Sequence, residues 1–162
     1  MQNEIKDIIT SVTVENEITL VTVYSLPNSV ESISQIFECL AENGVNVDMI
    51  SLNPSSGVHQ IVSFSANNND LPNILSTLGL FKKTYSDLRI DVNSNNCKFT
   101  FAGDAMKDIC GVAAFVFTAF ATKKINIKLI TTSETKISCL IDEVYYSSAC
   151  DMIGDTFGLQ NL

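Results

Sequence analysis

The chain has 162 residues, 46% of them apolar and 17% charged, enough apolar side chain for one large or two small folded cores. With 18 acidic against 10 basic groups the formal charge is −8, and Arg89 is the only arginine, which excludes a phosphate-neutralising surface and nucleic acid as a partner. Five cysteines (Cys39, Cys97, Cys110, Cys139, Cys150) form no CxxC pair and lie near no histidine; runs such as SCLI around Cys139 read as free thiols filling a core in a reducing, cytoplasmic compartment. The start MQNEIKD is polar and acidic, unlike a signal peptide, and no apolar run approaches the roughly 20 residues of a membrane helix, so a membrane is not an expected partner either.

In chain order, Ile8 to Val14 alternates Ile8, Thr10, Val12 and Val14 along one face and reads as a strand. Ile18 to Tyr24 (ITLVTVY) is a second strand, broken by LPNS. Ser29 to Glu42 carries Ile33, Ile36, Phe37 and Leu40 at helical spacing and stops at Asn43-Gly44. Val45 to Leu52 and His59 to Ala66 form a hairpin around the turn NPSSG. Asp70 caps a helix carrying Leu71, Ile74, Leu75 and Leu78, with Pro72 in its first turn, and Leu88 to Val92 is the next strand. The polar run NSNN (Asn93 to Asn96) reads as a linker. Beyond it come strand Cys97 to Ala102, helix Gly111 to Thr122, strand Asn126 to Thr131, turn TSET, strand Lys136 to Asp142 and helix Tyr145 to Phe157.

Phe37 to Ser51 (FECLAENGVNVDMIS) aligns without a gap on Phe117 to Thr131 (FTAFATKKINIKLIT). Phe37/Phe117, Ala41/Ala121, Asn46/Asn126 and Ile50/Ile130 are identical, and Val45/Ile125, Val47/Ile127, Met49/Leu129 and Ser51/Thr131 differ conservatively. One supersecondary unit is therefore used twice. The first copy has the order βαββαβ; the second stops one strand short, and Gly158 to Leu162 is too brief to supply it. The spare strand at Ile8 to Val14 is expected to cross over and fill that edge. The fold class is α+β: two ferredoxin-like βαββαβ modules, antiparallel sheets with helices on one face, over residues 15–93 and over 97–162 plus the strand 8–14.

Lys124 to Asp142 (KINIKLITTSETKISCLID) resembles the run GINIEMISTSEIKISVVID of the aspartokinase C-terminal regulatory region. Gly103 to Phe117 (GDAMKDICGVAAFVF) resembles that family's GxGMxxxxGVAxxxF, with Gly103, Met106, Gly111, Val112, Ala113 and Phe117 in place. NGVNVDMIS (Asn43 to Ser51) is similar to its INVDMI, and DTFGL (Asp155 to Leu159) to its closing HxxFxL. The resemblance runs from about Ile8 onward and implies tandem ACT domains, amino-acid-sensing modules for feedback control of aspartate-family biosynthesis. It implies lysine or threonine as effector, a homodimer formed through the ACT modules, and an aspartokinase catalytic chain as a further partner. The family's KxGGTS kinase motif is absent from these 162 residues, so no aspartate phosphorylation is expected of them alone. The alternative is a degenerate ACT pair acting as an interaction module without a metabolite.

An amino-acid effector needs backbone donors for its carboxylate and acceptors for its ammonium; a helix start supplies the donors, and a glycine there allows close approach. In the second copy that place falls on Asp108, Ile109, Cys110 and Gly111, with Ile109-Cys110 in place of the family's His-Pro. In the first copy it falls on Asn28, Ser29, Val30, Glu31 and Ser32, with Asn28 at the position of the family's aspartate and Glu31 in place of its glycine. Asn28-x-x-Glu31 reads either as a capping box or as a loop whose Glu31 repels a carboxylate. The starts of the second strands, Asn46, Val47 and Asp48 and then Asn126, Ile127 and Lys128, are expected to face these loops; Asn46 and Asn126 fit turn residues equally well. Asp48 against Lys128 makes the two places chemically different and leaves charges that could pair across a dimer. Thr132, Ser133 and Glu134 keep the family's TSE turn, while Leu52 replaces a glutamine. His59, the single histidine, reads as a surface or edge residue, and the aromatic residues Phe99, Phe101, Phe115, Phe117 and Phe120 as core. No metal or cofactor is expected.

Overall fold

Ten regular elements follow one another in the computed structural model, which describes residues 6–54 and 57–159. They are β1 (Ser11–Pro27), α1 (Val30–Glu42), β2 (Val47–Pro54), β3 (His59–Asn67), α2 (Leu71–Thr84), β4 (Arg89–Ala102), α3 (Val112–Thr122), β5 (Ile127–Thr132), β6 (Lys136–Asp142) and α4 (Tyr146–Phe157). Single 3-10 turns lead into α2 and α4 and fill Asp104–Asp108. The chain divides into a first unit, Glu17–Asn95, and a second made of the residues up to Asn16 together with those from Asn96 onward. Part of the expected NPSSG turn, Ser55 and Ser56, lies outside the described residues, as does most of MQNEIKD.

In the first unit the strands lie in the order β2, β3, β1, β4, and α1 and α2 pack over a core that includes Val21, Val23, Ile36, Leu40, Phe64, Ile74 and Leu78. Phe37 meets Phe64 edge-on with ring centroids 5.8 Å apart. In the second unit the order is β1, β4, β6, β5, under α3 and α4. Its core is aromatic: Phe101 contacts Phe120 at 5.9 Å and Phe157 at 5.4 Å. The order is that of a ferredoxin-like sheet, and in the second unit the outer strand is the N-terminal part of β1. Thr10 donates its amide to the Ala102 carbonyl at 2.9 Å, Lys98 pairs with Glu15 at 2.6 Å, and Ile9 and Val12 are buried in this core. The expected crossover of the N-terminal strand is what completes the second sheet.

Two strand boundaries and one helix cap differ from the sequence reading. The strands expected at 8–14 and 18–24 merge into one strand, β1, which begins only at Ser11, so Ile8 to Thr10 lie ahead of it, and NSNN is not a linker but the middle of β4. Both strands change unit at a residue with a left-handed backbone, Glu17 (φ 59) in β1 and Asn95 (φ 61) in β4. Asparagine tolerates that conformation better than most residues, which is why a polar run can sit inside a strand here. Asn96 is fully buried, and the Thr19 and Ser94 hydroxyls hydrogen-bond at 3.0 Å. Asp70 does not cap α2 with its side chain; Asn67 instead accepts from the Asn69 amide at 2.9 Å and starts the 3-10 turn ahead of the helix.

The duplication reaches hydrogen bonds as well as fold. Thr22 faces Ser63 on β3 with hydroxyls 3.1 Å apart, and Thr100 faces Ser138 on β6 at 2.9 Å. Both second strands break register near their starts, between Val47 and Ile50 and between Ile127 and Leu129. Both first helices end on a left-handed residue, Gly44 (φ 73) and Lys124 (φ 57), with the following amide returning to the last turn.

Candidate functional site

The entry loop of α1 runs from Pro27 to Ser32. Ser29, not Asn28, is the N-cap: its hydroxyl accepts from the Ser32 amide at 3.2 Å. The expected Asn28/Glu31 capping box does not form, because the Asn28 side chain donates instead to the Gly57 carbonyl at 3.0 Å, and its amide to Val58 at 2.9 Å. Beneath the loop lie two buried polar side chains that sequence reading missed, Ser32 and Gln60. The Gln60 amide donates to Pro27 O at 2.8 Å and Ser29 O at 3.1 Å, and the Ser32 hydroxyl reaches the same two carbonyls at 2.7 and 2.9 Å. A signal was present: Gln60 falls in phase with Val62, Phe64 and Ala66, the buried face of β3, so it is a polar residue on an inward register.

The corresponding place in the second unit is built differently. Gly111 is the N-cap of α3 with φ 95, a left-handed conformation that favours glycine, and no side chain caps the helix. No acidic residue occupies the first turn of α3, so its orphan amides and the helix dipole are available to an anion. Asp108, Ile109, Cys110 and Gly111 are all exposed. Thr132 ends β5, and Ser133 donates to Lys136 O at 2.9 Å to close the turn. Gly103 donates to Thr135 O at 3.0 Å, which fixes the Thr132–Glu134 turn at the same end of the sheet as the approach to α3.

The second-strand starts are elsewhere. β2 begins where α1 ends, so within one unit Asn46, Val47 and Asp48 are separated from Asn28 to Ser32 by the length of a 13-residue helix, about 20 Å. Asn126 and Ile127 are likewise at the far end of α3 from Gly111. The expectation that these positions face the loops does not hold inside a unit. Lys128 is no unpaired cation awaiting a dimer partner: it donates to Asn96 at 2.7 Å and to Asp142 at 2.9 Å. The Lys128 hydrogen bond, helped by the Val144 amide, holds the Asp142 carboxyl below its ordinary range.

Along the outer side of α3 and α4 runs a groove of about 390 Å³ that starts at Cys110 and Gly111 and is floored by Phe115 and Met152. Thr118 and Thr122 turn their hydroxyls back to the carbonyls of Ala114 and Thr118, at 2.8 and 2.9 Å, so their polar atoms are already satisfied. A smaller cleft of about 260 Å³ in the first unit is lined by Ser25, His59, Tyr85 and Asp87. Among the cysteines, Cys97 and Cys139 are buried and burial pushes both thiols up to about 12, at Cys97 with help from Glu143; Cys110 is exposed, and all five are free. Among the described residues no acidic, histidine or cysteine cluster could hold a metal, and no helix is long and apolar enough to cross a membrane.

A ferredoxin-like βαββαβ unit used twice in one chain defines a tandem α+β module pair. An ACT-domain family model matches residues 99–157. The aspartokinase of Geobacillus stearothermophilus is 36% identical over 152 residues, covering 94% of this chain and 36% of that protein. The crystal structure of aspartokinase alpha and beta subunits includes a chain 30% identical with a TM-score of 0.84, covering 93% of this chain and 99% of that one. The ligand-free regulatory subunit of aspartate kinase from Thermus thermophilus shares the fold at a TM-score of 0.81 and 23% identity, over 93% of this chain and 99% of that one. The chain belongs to the aspartokinase family, and its 162 residues correspond to the family's regulatory ACT region rather than to the kinase. They span little more than a third of the Geobacillus enzyme's length.

Proposed function

We propose that this chain senses an aspartate-family amino acid, lysine or threonine, and transmits its occupancy to an aspartokinase catalytic chain in the cytoplasm. The observation that carries this reading is the start of α3: an uncapped helix behind a left-handed Gly111, without an acidic first turn, on the same side as the Thr132–Glu134 turn. That arrangement offers donors to a carboxylate and hydroxyls to an ammonium or side chain. Since each unit separates its loop from its second-strand start by the length of a helix, a site using both is completed by a second copy of the chain. The edge strands support such pairing: Ile50 and Leu52 on β2 are 49% and 48% exposed, and Ile130 on β5 is 42% exposed. Effector binding would favour one arrangement of the copies and so shift the attached kinase between states.

Thermal unfolding across an amino-acid panel tests the proposal. A ligand at a hundred times its Kd stabilises the folded state by about 2.7 kcal/mol, a rise of roughly 5 to 10 °C for a chain of this size. Lysine or threonine is expected to give that rise. A flat response to every amino acid would leave the alternative, an interaction module without a metabolite.

A further inference from the structure

The two helix-entry loops are not equivalent sites. An amino acid bound at such a loop needs free carbonyls for its ammonium and free amides for its carboxylate. In the first unit those carbonyls are already taken. Pro27 O lies within hydrogen-bond distance of the Ser29 amide at 2.8 Å, the Gln60 amide at 2.8 Å and the Ser32 hydroxyl at 2.7 Å. Ser29 O accepts from the same Gln60 side-chain NH2 at 3.1 Å, and the single Ser32 hydroxyl proton, 2.9 Å away, serves one or other of the two carbonyls. The amides of Asn28, Ser29 and Ser32 are spent on Val58 O, Pro27 O and the Ser29 hydroxyl. Only Val30 and Glu31 remain at the helix start, and Glu31 adds its own carboxylate to that first turn. Gln60 and Ser32 are each only 2% exposed, so their bonds compete with little water and the loop is tied from beneath.

The duplication supplies an internal comparison. In the repeat alignment Ser32 falls on Val112, and the strand register that sets Ser63 against Ser138 sets Gln60 against Thr135. The second unit therefore lacks both the buried hydroxyl and the buried amide. Its helix start is left without any side-chain cap.

We propose that Gln60 and Ser32 form a latch that closes the first entry loop, so that amino-acid recognition resides at the second loop alone and the first unit is silent toward effectors. This rests on the sensor reading above for its second half and on the loop geometry alone for its first. Gln60 is a positioning residue: it acts through Pro27 and Ser29.

Hydrogen exchange and calorimetry on the whole chain test it. Without any amino acid, the hydrogen-bonded amides of Asn28, Ser29 and Ser32 exchange slowly in the parent chain; in Gln60→Leu, and in Ser32→Ala, which disturbs the core less, they exchange at least tenfold faster. With lysine or threonine, the parent chain takes up one equivalent that protects residues 112–114 and leaves 28–32 unchanged. The double variant Glu31→Gly/Gln60→Thr, which removes the repelling carboxylate and the latch, gains a second equivalent that protects 28–32, a gain that mere destabilisation would not produce. Unchanged loop exchange in both single variants overturns the latch, and effector protection of 28–32 in the parent chain overturns the silence of the first unit. If no amino acid binds either protein, the sensor reading fails, while the exchange comparison still decides the latch.

Discussion

At Gly103 a single missing side chain decides how the second unit is assembled. Its backbone is extended (φ −176), so no conformational strain calls for glycine; space does, because a Cβ there would collide with the carbonyl of Ile8. The next residue, Ile9, is 3% exposed in the second core, so the clash would fall on the segment that brings the N-terminal strand into place. Overpacking against a backbone atom costs about 1 to 3 kcal/mol, and Gly103→Ala is expected to lower stability by about 2 kcal/mol. Exchange at Thr10 and Val12 should accelerate in the same variant. Gly79 in α2 and Gly154 in α4 are the controls: a Cβ on either meets nothing within 4 Å, so alanine there adds stability, up to about 1 kcal/mol each. Destabilisation by all three alanines alike would remove the steric explanation.

Helix ends show the same division between local and non-local causes. α1 and α3 stop with the same geometry: the amide of Gly44 or Lys124 returns to Ala41 O or Ala121 O at 3.0 Å, and Val45 or Ile125 to Leu40 O or Phe120 O at 3.0 Å. Gly44 adopts φ 73 at no steric cost, whereas Lys124 holds φ 57 against its own Cβ, a penalty of about 1 kcal/mol. Lys124→Gly is therefore expected to raise the melting temperature by about 2 to 4 °C, and Gly44→Lys to lower it by a similar amount. Equal melting temperatures for parent and Lys124→Gly would show that the lysine side chain compensates elsewhere. The stop at Asn43-Gly44 was legible in sequence because it is written in consecutive residues, as were the helical stripes and the β-branched strands; the stop at Lys124 carries no such residue. NSNN was misread for the opposite reason: its polarity says loop, and only pairing across β4 makes it strand. The start of α1 was misread because Asn28 spends its side chain on Gly57, a residue of a hairpin that the linear pattern does not bring near. The latch under that loop was half legible, as a glutamine out of character on an inward register. The groove beside α3 was not, since it depends on Met152 of another helix and on two threonines turning their hydroxyls away.

The architecture of the whole chain follows from a repeat whose second copy borrows its last strand from the N-terminal end. Residues up to Asn16 belong to the second unit, yet the entire first unit lies between them and the rest of it in sequence. The borrowed segment contributes Ile9 and Val12 to the core, worth about 1.5 to 3 kcal/mol each, together with the Thr10 bond to Ala102 and the pairing of Glu15 with Lys98. Domains have only about 5 to 15 kcal/mol in total, so its loss is a large fraction of the second unit's stability. It would also leave Cys97 to Ala102 of β4 as an unpaired edge. A chain starting at Asn16 is therefore expected to unfold in two calorimetric steps, the second unit melting first and the first unit, whose own strand pairing starts at Ile18, near its original temperature. A peptide spanning residues 6–16 supplied in trans should restore the lost step by strand addition, because the vacant edge and the Ile9 and Val12 positions are complementary to it. A single transition at the original temperature in the truncated chain would show that β4 needs no neighbour on that side, and the interlocked description of the fold would fall with it.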